Sequence, residues 1–125
     1  MALSQRRSRR KVTGGKYKKQ RDKKKMELAG REHLTRIGEK RVTLVRMRGG
    51  KLKTKALSLD KANVYDPKSK TYKVVSIKSV IENKANRHYV RRQIITKGAI
   101  IETDLGKAIV TNRPSQEGFI NAKLI

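Results

Sequence analysis

Few residues in this chain have the side chains that acid–base or metal chemistry needs. There are two histidines, His33 and His88, and no cysteine. Two imidazoles without thiolates are too few for a zinc site. Glu102 and Asp104 stand two apart near a hairpin connection, where turn formation and pairing with lysine are the expected roles of such carboxylates. Thr13-Gly14-Gly15-Lys16 lacks both the spacing of a phosphate-binding loop and a strand before it. The sequence therefore offers no catalytic residues, no metal ligands and no cofactor site, and the expectation is a protein that is not an enzyme.

The chemistry lies in the cations. The 125 residues contain 34 Lys and Arg against 10 Asp and Glu, a net charge of +24. Residues 1–55 hold 21 basic and 4 acidic residues, while residues 56–125 hold 13 and 6. A charge of this size selects nucleic acid, an anionic membrane surface or an acidic protein as partner. Three stretches are candidate nucleic-acid-binding elements. The first is a tail carrying Arg6, Arg7, Arg9, Arg10, Lys11, Lys16, Lys18, Lys19, Arg21, Lys23, Lys24 and Lys25, with Arg31 soon after. Each phosphate that such a tail neutralises releases counterions, which makes affinity steeply salt-dependent. Tyr17, among the lysines, is available for stacking.

The second stretch is Arg41–Asp60, where Arg48-Gly49-Gly50-Lys51 separates two runs of alternating apolar and basic residues. A Gly-Gly pair in that setting is a hairpin signal, since both glycines accept positive φ. Arg41, Arg46, Arg48, Lys51, Lys53 and Lys55 make the hairpin cationic, with no acid between Arg41 and Leu59. Side chains alternate across a strand, so Lys51, Lys53 and Lys55 are expected to share one face, a repulsive row unless a polyanion lies on it. The third stretch is Tyr89-Val90-Arg91-Arg92, in which Tyr89, Arg91 and Arg92 put an aromatic ring beside two guanidiniums suited to an unpaired base and to phosphate. The chain carries no RRM, KH or zinc-finger signature, so shape and backbone recognition is expected.

The elements that must position these groups follow from residue pattern. Residues 1–25 contain almost no large apolar side chain, and such a segment is expected to be disordered when free and to fold on nucleic acid. A short helix over 20–28 is possible on binding. Short runs rich in Val, Ile and Thr, separated by Gly, Asn, Asp and Pro, predict strands over 41–48, 52–59, 73–81, 88–96, 99–103, 107–112 and 119–124. A shift of apolar parity within 52–59 predicts a bulge near Ala56. The expected architecture is all-β: a small antiparallel β-barrel-like domain over 36–125, with a long basic N-terminal extension over 1–35. Only five aromatics are present, so its core must rest on Val, Ile and Leu. No apolar run approaches the roughly 18–20 residues that span a bilayer. The start MALSQRRSRRKV has no secretory core. A cytoplasmic protein without membrane partner or small-molecule substrate is expected.

Several motifs together point to a family. They are Arg10-Lys11-Val12-Thr13-Gly14-Gly15, Val45-Arg46-Met47-Arg48-Gly49-Gly50, Ala62-Asn63-Val64 with Asp66-Pro67, and His88-Tyr89-Val90-Arg91-Arg92. The run from Ile94 to Thr103 and the pair Val110-Thr111-Asn112-Arg113-Pro114 and Gly118-Phe119-Ile120-Asn121-Ala122 complete the set. On these the chain resembles the archaeal and eukaryotic e-type small-subunit ribosomal protein eight, and its short loop at 66–71 is similar to the archaeal branch. The resemblance implies a ribosomal location, small-subunit ribosomal RNA and neighbouring ribosomal proteins as partners, and no enzymatic activity. A ribosome-assembly factor of the same superfamily and a DNA-compacting basic protein are the alternatives.

Overall fold

The computed structural model describes residues 6–30 and 32–125, and the chain divides into two units, Met1–Glu32 and His33–Ile125. In the first unit the Thr13-Gly14-Gly15 bend is the loop of a small hairpin. Gly14 N–H donates to the Lys11 carbonyl at 3.1 Å, Lys11 N–H to the Gly15 carbonyl at 2.8 Å, and Tyr17 N–H to the Arg9 carbonyl at 2.8 Å. Arg10 and Lys16 form an antiparallel bridge between its arms. Gly14 closes the three-residue loop at φ 83°, a left-handed conformation that glycine adopts without a β-carbon clash. Of the helix allowed over 20–28, one 3₁₀ turn forms, Lys25–Glu27. The acids of this stretch form no consistent i,i+4 pattern with its lysines to sustain a longer one.

The second unit is built from β1 (Thr35–Ile37), β2 (Arg41–Arg46), β3 (Leu52–Leu59), β4 (Lys61–Asp66), β5 (Thr71–Glu82), α1 (His88–Arg91), β6 (Ile94–Ile95), β7 (Ile100–Thr103), β8 (Gly106–Val110), α2 (Pro114–Glu117) and β9 (Asn121–Leu124). Strands β4-β5-β7-β8-β9 close into a barrel, and β2-β3-β1-β6 form a second sheet. The all-β, barrel-like expectation holds. Pairing is antiparallel apart from β1 with β3 and β4 with β9, which run parallel. The parallel β4–β9 seam closes the barrel, and the basic hairpin β2–β3 belongs to the other sheet.

Apolar alternation explains the barrel. Ala62 and Val64 of β4, Val80 of β5, Ile101 of β7, Ala108 and Val110 of β8, and Ala122 of β9 are all buried. Five strands enclose a narrow interior, which is why alanine takes a large share of a core expected to be Val, Ile and Leu. Burying one isoleucine such as Ile101 contributes about 1.5–3 kcal/mol. The buried threonine hydroxyls are paired: Thr103 Oγ1 donates to the Gly106 carbonyl at 2.8 Å, and Thr35 Oγ1 to the Ala56 carbonyl at 2.8 Å. Register shifts at Ile77/Ser79 and Val80/Glu82 bend the long β5 around the barrel. The bulge expected near Ala56 is present: Val42 pairs with Ala56 and Arg41 with Ser58, leaving Leu57 without a partner.

Three corrections concern elements. Residues 61–66, outside the strands expected from residue pattern, form strand β4; tertiary pairing on both sides overrides the low β-propensity of Asn63 and Asp66. The strand expected over 88–96 is instead the helical turn α1 followed by two residues of β6. Asn86 causes this: its carbonyl accepts the Tyr89 N–H at 3.0 Å and its side chain accepts the His88 N–H at 2.9 Å, satisfying the donors of a helix start. The turn at Arg113–Gly118 contains α2, which starts on Pro114 and stops at Gly118, φ 85°.

Candidate nucleic-acid interface

In the first unit the basic side chains of residues 6–25 are exposed, Arg21 excepted, which is half-buried. Arg31 lies outside the described residues. Hairpin and 3₁₀ turn bring Arg6, Arg7, Arg9, Lys18, Lys19, Arg21 and Lys23 around one cleft of ≈ 560 Å³. No acid is among the residues lining it. Lys16, Lys24 and Lys25 are exposed elsewhere in the unit.

Two carboxylates hold this unit together. Glu27 Oε1 receives Arg21 Nη2 at 2.5 Å and faces Arg6 Nε at 3.6 Å, while Oε2 accepts the Lys24 amide at 3.3 Å. Partial burial opposes its ionisation, but the Lys24 amide and the two guanidiniums outweigh that and hold the Glu27 carboxyl below its ordinary range. Asp22 is held below the usual carboxylate range chiefly by its hydrogen bond to Lys19, and then by that ammonium's charge. Arg21 is thus turned inward as a structural group, and its Nη1 has no hydrogen-bond partner among the described residues. Tyr17 is less open to a base than the sequence implies. The Arg7 guanidinium lies 4.3 Å from the ring centroid and also reaches the phenol oxygen, and Lys11 Nζ lies 5.3 Å away.

In the second unit Gly49 and Gly50 have φ 77° and 76°, the positive values that a glycine pair was read as supplying. The loop is wider than a two-residue turn, since Met47 N–H donates to the Lys51 carbonyl at 2.7 Å. Arg41, Arg46, Arg48 and Lys51 are exposed. The expected row of Lys51, Lys53 and Lys55 is unevenly exposed. Lys51 sits in the loop, whereas Lys53 and Lys55 are half-buried on β3 opposite Val45 and Thr43. The Lys53 ammonium donates to Gln116 Oε1 of α2 at 3.2 Å. Arg46 faces the other way, opposite Leu52. The cations of the hairpin are therefore divided between its two faces and its tip.

Arg91 and Arg92 are exposed and Tyr89 is half-buried, presented by a helical turn and not by a strand. Gln93, at φ 52°, holds that turn to the sheets. Its side chain accepts the Val80 N–H at 2.8 Å and donates to the Val90 carbonyl at 3.0 Å, and its carbonyl accepts the Ile37 N–H at 3.3 Å. The acids weighed for chemistry have structural partners: Glu102 accepts from Ser79 Oγ at 2.9 Å, and Asp104 pairs with Lys78 at 3.3 Å. The sequence reading passed over one surface, the outer face of β4, β5 and β9, which carries Tyr65 and Tyr72. Alternation at Ala62-Asn63-Val64-Tyr65 was the signal that could have revealed it.

Comparison with known proteins adds two kinds of agreement. Residues 4–125 match the family model described as Ribosomal protein S8e. The "Small ribosomal subunit protein eS8" of Methanococcus aeolicus is 54% identical over 100% of this chain and 98% of its own length. The proteins of the same name from Sulfolobus acidocaldarius and Picrophilus torridus are 51% and 44% identical, covering 93% and 100% of this chain and 91% and 100% of theirs.

Proposed function

Since this chain belongs to the ribosomal protein S8e family, we propose that it is a structural constituent of the small ribosomal subunit that binds small-subunit ribosomal RNA, in contact with neighbouring ribosomal proteins. The observation that carries the reading is the cleft at residues 6–23, where seven cations converge, Glu27 pairing with Arg6 and Arg21 and Asp22 with Lys19. Like charges gathered this way repel in water and are stabilised when a polyphosphate neutralises them. The exposed cations at the hairpin tip, Arg46, Arg48 and Lys51, give a second docking point on a preformed element. Arg91 and Arg92 on α1 give a third, with Arg forks suited to phosphate geometry. The barrel fixes the spacing between the last two. The role is architectural: positioning and charge neutralisation, with no covalent step.

The test uses full-length chain, purified small subunits and their RNA. The chain co-sediments stoichiometrically with mature subunits, and its affinity for the RNA falls with salt on a log–log slope of several units. Absence from mature subunits, or salt-insensitive binding, overturns the reading. Presence on precursor particles alone would mark an assembly factor, and equal competition by duplex DNA a general compacting protein.

A further inference from the structure

The outer face of β4, β5 and β9 is a surface that the tail, the hairpin and α1 do not explain. Its composition follows from register. Tyr65 lies opposite Tyr72 and Asn63 opposite Val74 across β4–β5, while Asn63 lies opposite Asn121 and Tyr65 opposite Lys123 across β4–β9. Side chains alternate along a strand, so these six share one side of the sheet. The other side holds the buried Ala62, Val64 and Ala122.

Three features of this face point to one ligand. Tyr72 is 76% exposed and Val74 68%, and the Tyr65 ring lies 4.9 Å from that of Tyr72, tilted 39°. The Tyr72 ring is therefore propped by an aromatic neighbour and open to solvent. Next to it, Asn63 Nδ2 donates to Asn121 Oδ1 at 3.2 Å, which leaves acceptor capacity on Asn63 and donor capacity on Asn121. The residues bound a cleft of ≈ 550 Å³, with Lys73 and Lys123 among its walls and no acid lining it. That volume is within the range of small-ligand clefts. An apolar peptide would use the tyrosines but would leave two amides and the Lys123 ammonium without a role. An unpaired nucleotide uses all of them: a π-face, a hydrogen-bonding edge and a phosphate.

We propose that this face stacks an unpaired base of single-stranded RNA on Tyr72, with the Asn63–Asn121 pair at the base edge and Lys123 on a flanking phosphate. It is a second kind of contact, base stacking on the barrel, beside the phosphate contacts of the tail and hairpin, and it rests on the RNA-binding reading above. Stacking accepts any base, so weak sequence preference goes with it.

The experiment compares the full-length chain with its Tyr72→Ala and Tyr72→Phe variants on two probes. One is a short single-stranded oligoribonucleotide carrying 2-aminopurine; the other is an RNA duplex of equal length. Tyr72→Ala weakens single-strand binding about ten-fold or more and abolishes the 2-aminopurine quenching, and Tyr72→Phe retains both. Duplex affinity, carried by phosphate contacts, changes by less than about two-fold. Equal single-strand affinity of Tyr72→Ala and the parent chain overturns the proposal, as does equal loss on both probes. In assembled subunits, a photoreactive phenylalanine derivative in place of Tyr72 crosslinks to RNA; crosslinks to protein alone overturn it. Failure of the wider reading is distinguishable, because the parent chain would then bind neither probe in a salt-dependent way.

Discussion

Gly118 sits against Thr54 so closely that a β-carbon on it would lie 3.0 Å from Thr54 Cβ and nearer still to Cγ2. The contact ties the end of α2 to the middle of β3, the strand that carries Lys53 and Lys55. Gly118 also has φ 85°, where a side chain is strained. Gly118→Ala therefore destabilises the second unit by roughly 2–4 kcal/mol, adding left-handed strain to a clash with a β-branched side chain. Urea unfolding checks this. Adding Thr54→Ala to Gly118→Ala restores part of the loss by removing Cγ2, and no restoration would assign the whole effect to backbone strain.

Gln93 joins α1 to two strands through Val80, Val90 and Ile37. Gln93→Ala removes the side-chain acceptor for the Val80 amide, and the cost is about 1–3 kcal/mol for that unpaired donor. Since α1 carries Tyr89 and Arg91, the variant also weakens RNA binding beyond any loss of charge. Faster amide exchange at Val80 and Tyr89, with lower RNA affinity at unchanged net charge, is the expected pair of results.

Glu27 is ionised more readily in the folded first unit than in an open chain, its carboxyl lying below the usual 4.5. The sign follows: its contribution is fully present above about pH 4.5 and is lost as pH falls through the lower folded value. NMR titration of the Lys24 amide follows that loss. Glu27→Gln flattens the titration and loosens Arg21 at neutral pH. An unchanged Lys24 profile in Glu27→Gln would show that the carboxylate does not hold the turn.

Arg48 and Lys53 are both basic residues of the hairpin region, but their surroundings differ. Arg48 is exposed at the tip, whereas Lys53 is half-buried and bonded to Gln116. On small-subunit RNA, Arg48→Ala lowers the salt slope by about one. Lys53→Ala changes the slope less and lowers thermal stability more. Equal slope changes for the two variants would mean that the Lys53–Gln116 bond opens on RNA.

Asp66 shows what local chemistry alone can determine. Its carboxylate accepts the Lys68 amide and the Ser69 hydroxyl, both at 2.9 Å, and those bonds hold its carboxyl below the ordinary range. The turn after Asp66-Pro67 was legible because every group that makes it lies within a few residues. The same holds for the Gly49-Gly50 loop and for the strands expected over 41–48, 52–59 and 73–81, which form as Arg41–Arg46, Leu52–Leu59 and Thr71–Glu82. The parity shift near Ala56 even located the bulge at Leu57. How the charge is distributed along the chain was legible from composition, which needs no coordinates.

Partners distant along the chain decided the remainder. Asn63 and Asp66 argue against a strand until β5 and β9 supply a ladder on each side, 58 residues separating Asn63 from Asn121. Residues 88–96 read as strand, five of the nine being β-branched or aromatic; the Asn86 bonds to His88 and Tyr89 and the Gln93 bonds to Val80 and Ile37 hold the first part as a helical turn. Lys53 and Lys55 are a solvated row by spacing and a half-buried pair in the fold, because α2 packs on β3. The tyrosine face exists only where β4, β5 and β9 meet. Composition, charge and nearest-neighbour turns were thus determined by the sequence itself, through energies that act over a few residues. Which side chains share a surface was decided by tertiary pairing, since register, and not spacing alone, brings Tyr72, Asn63 and Lys123 to one face.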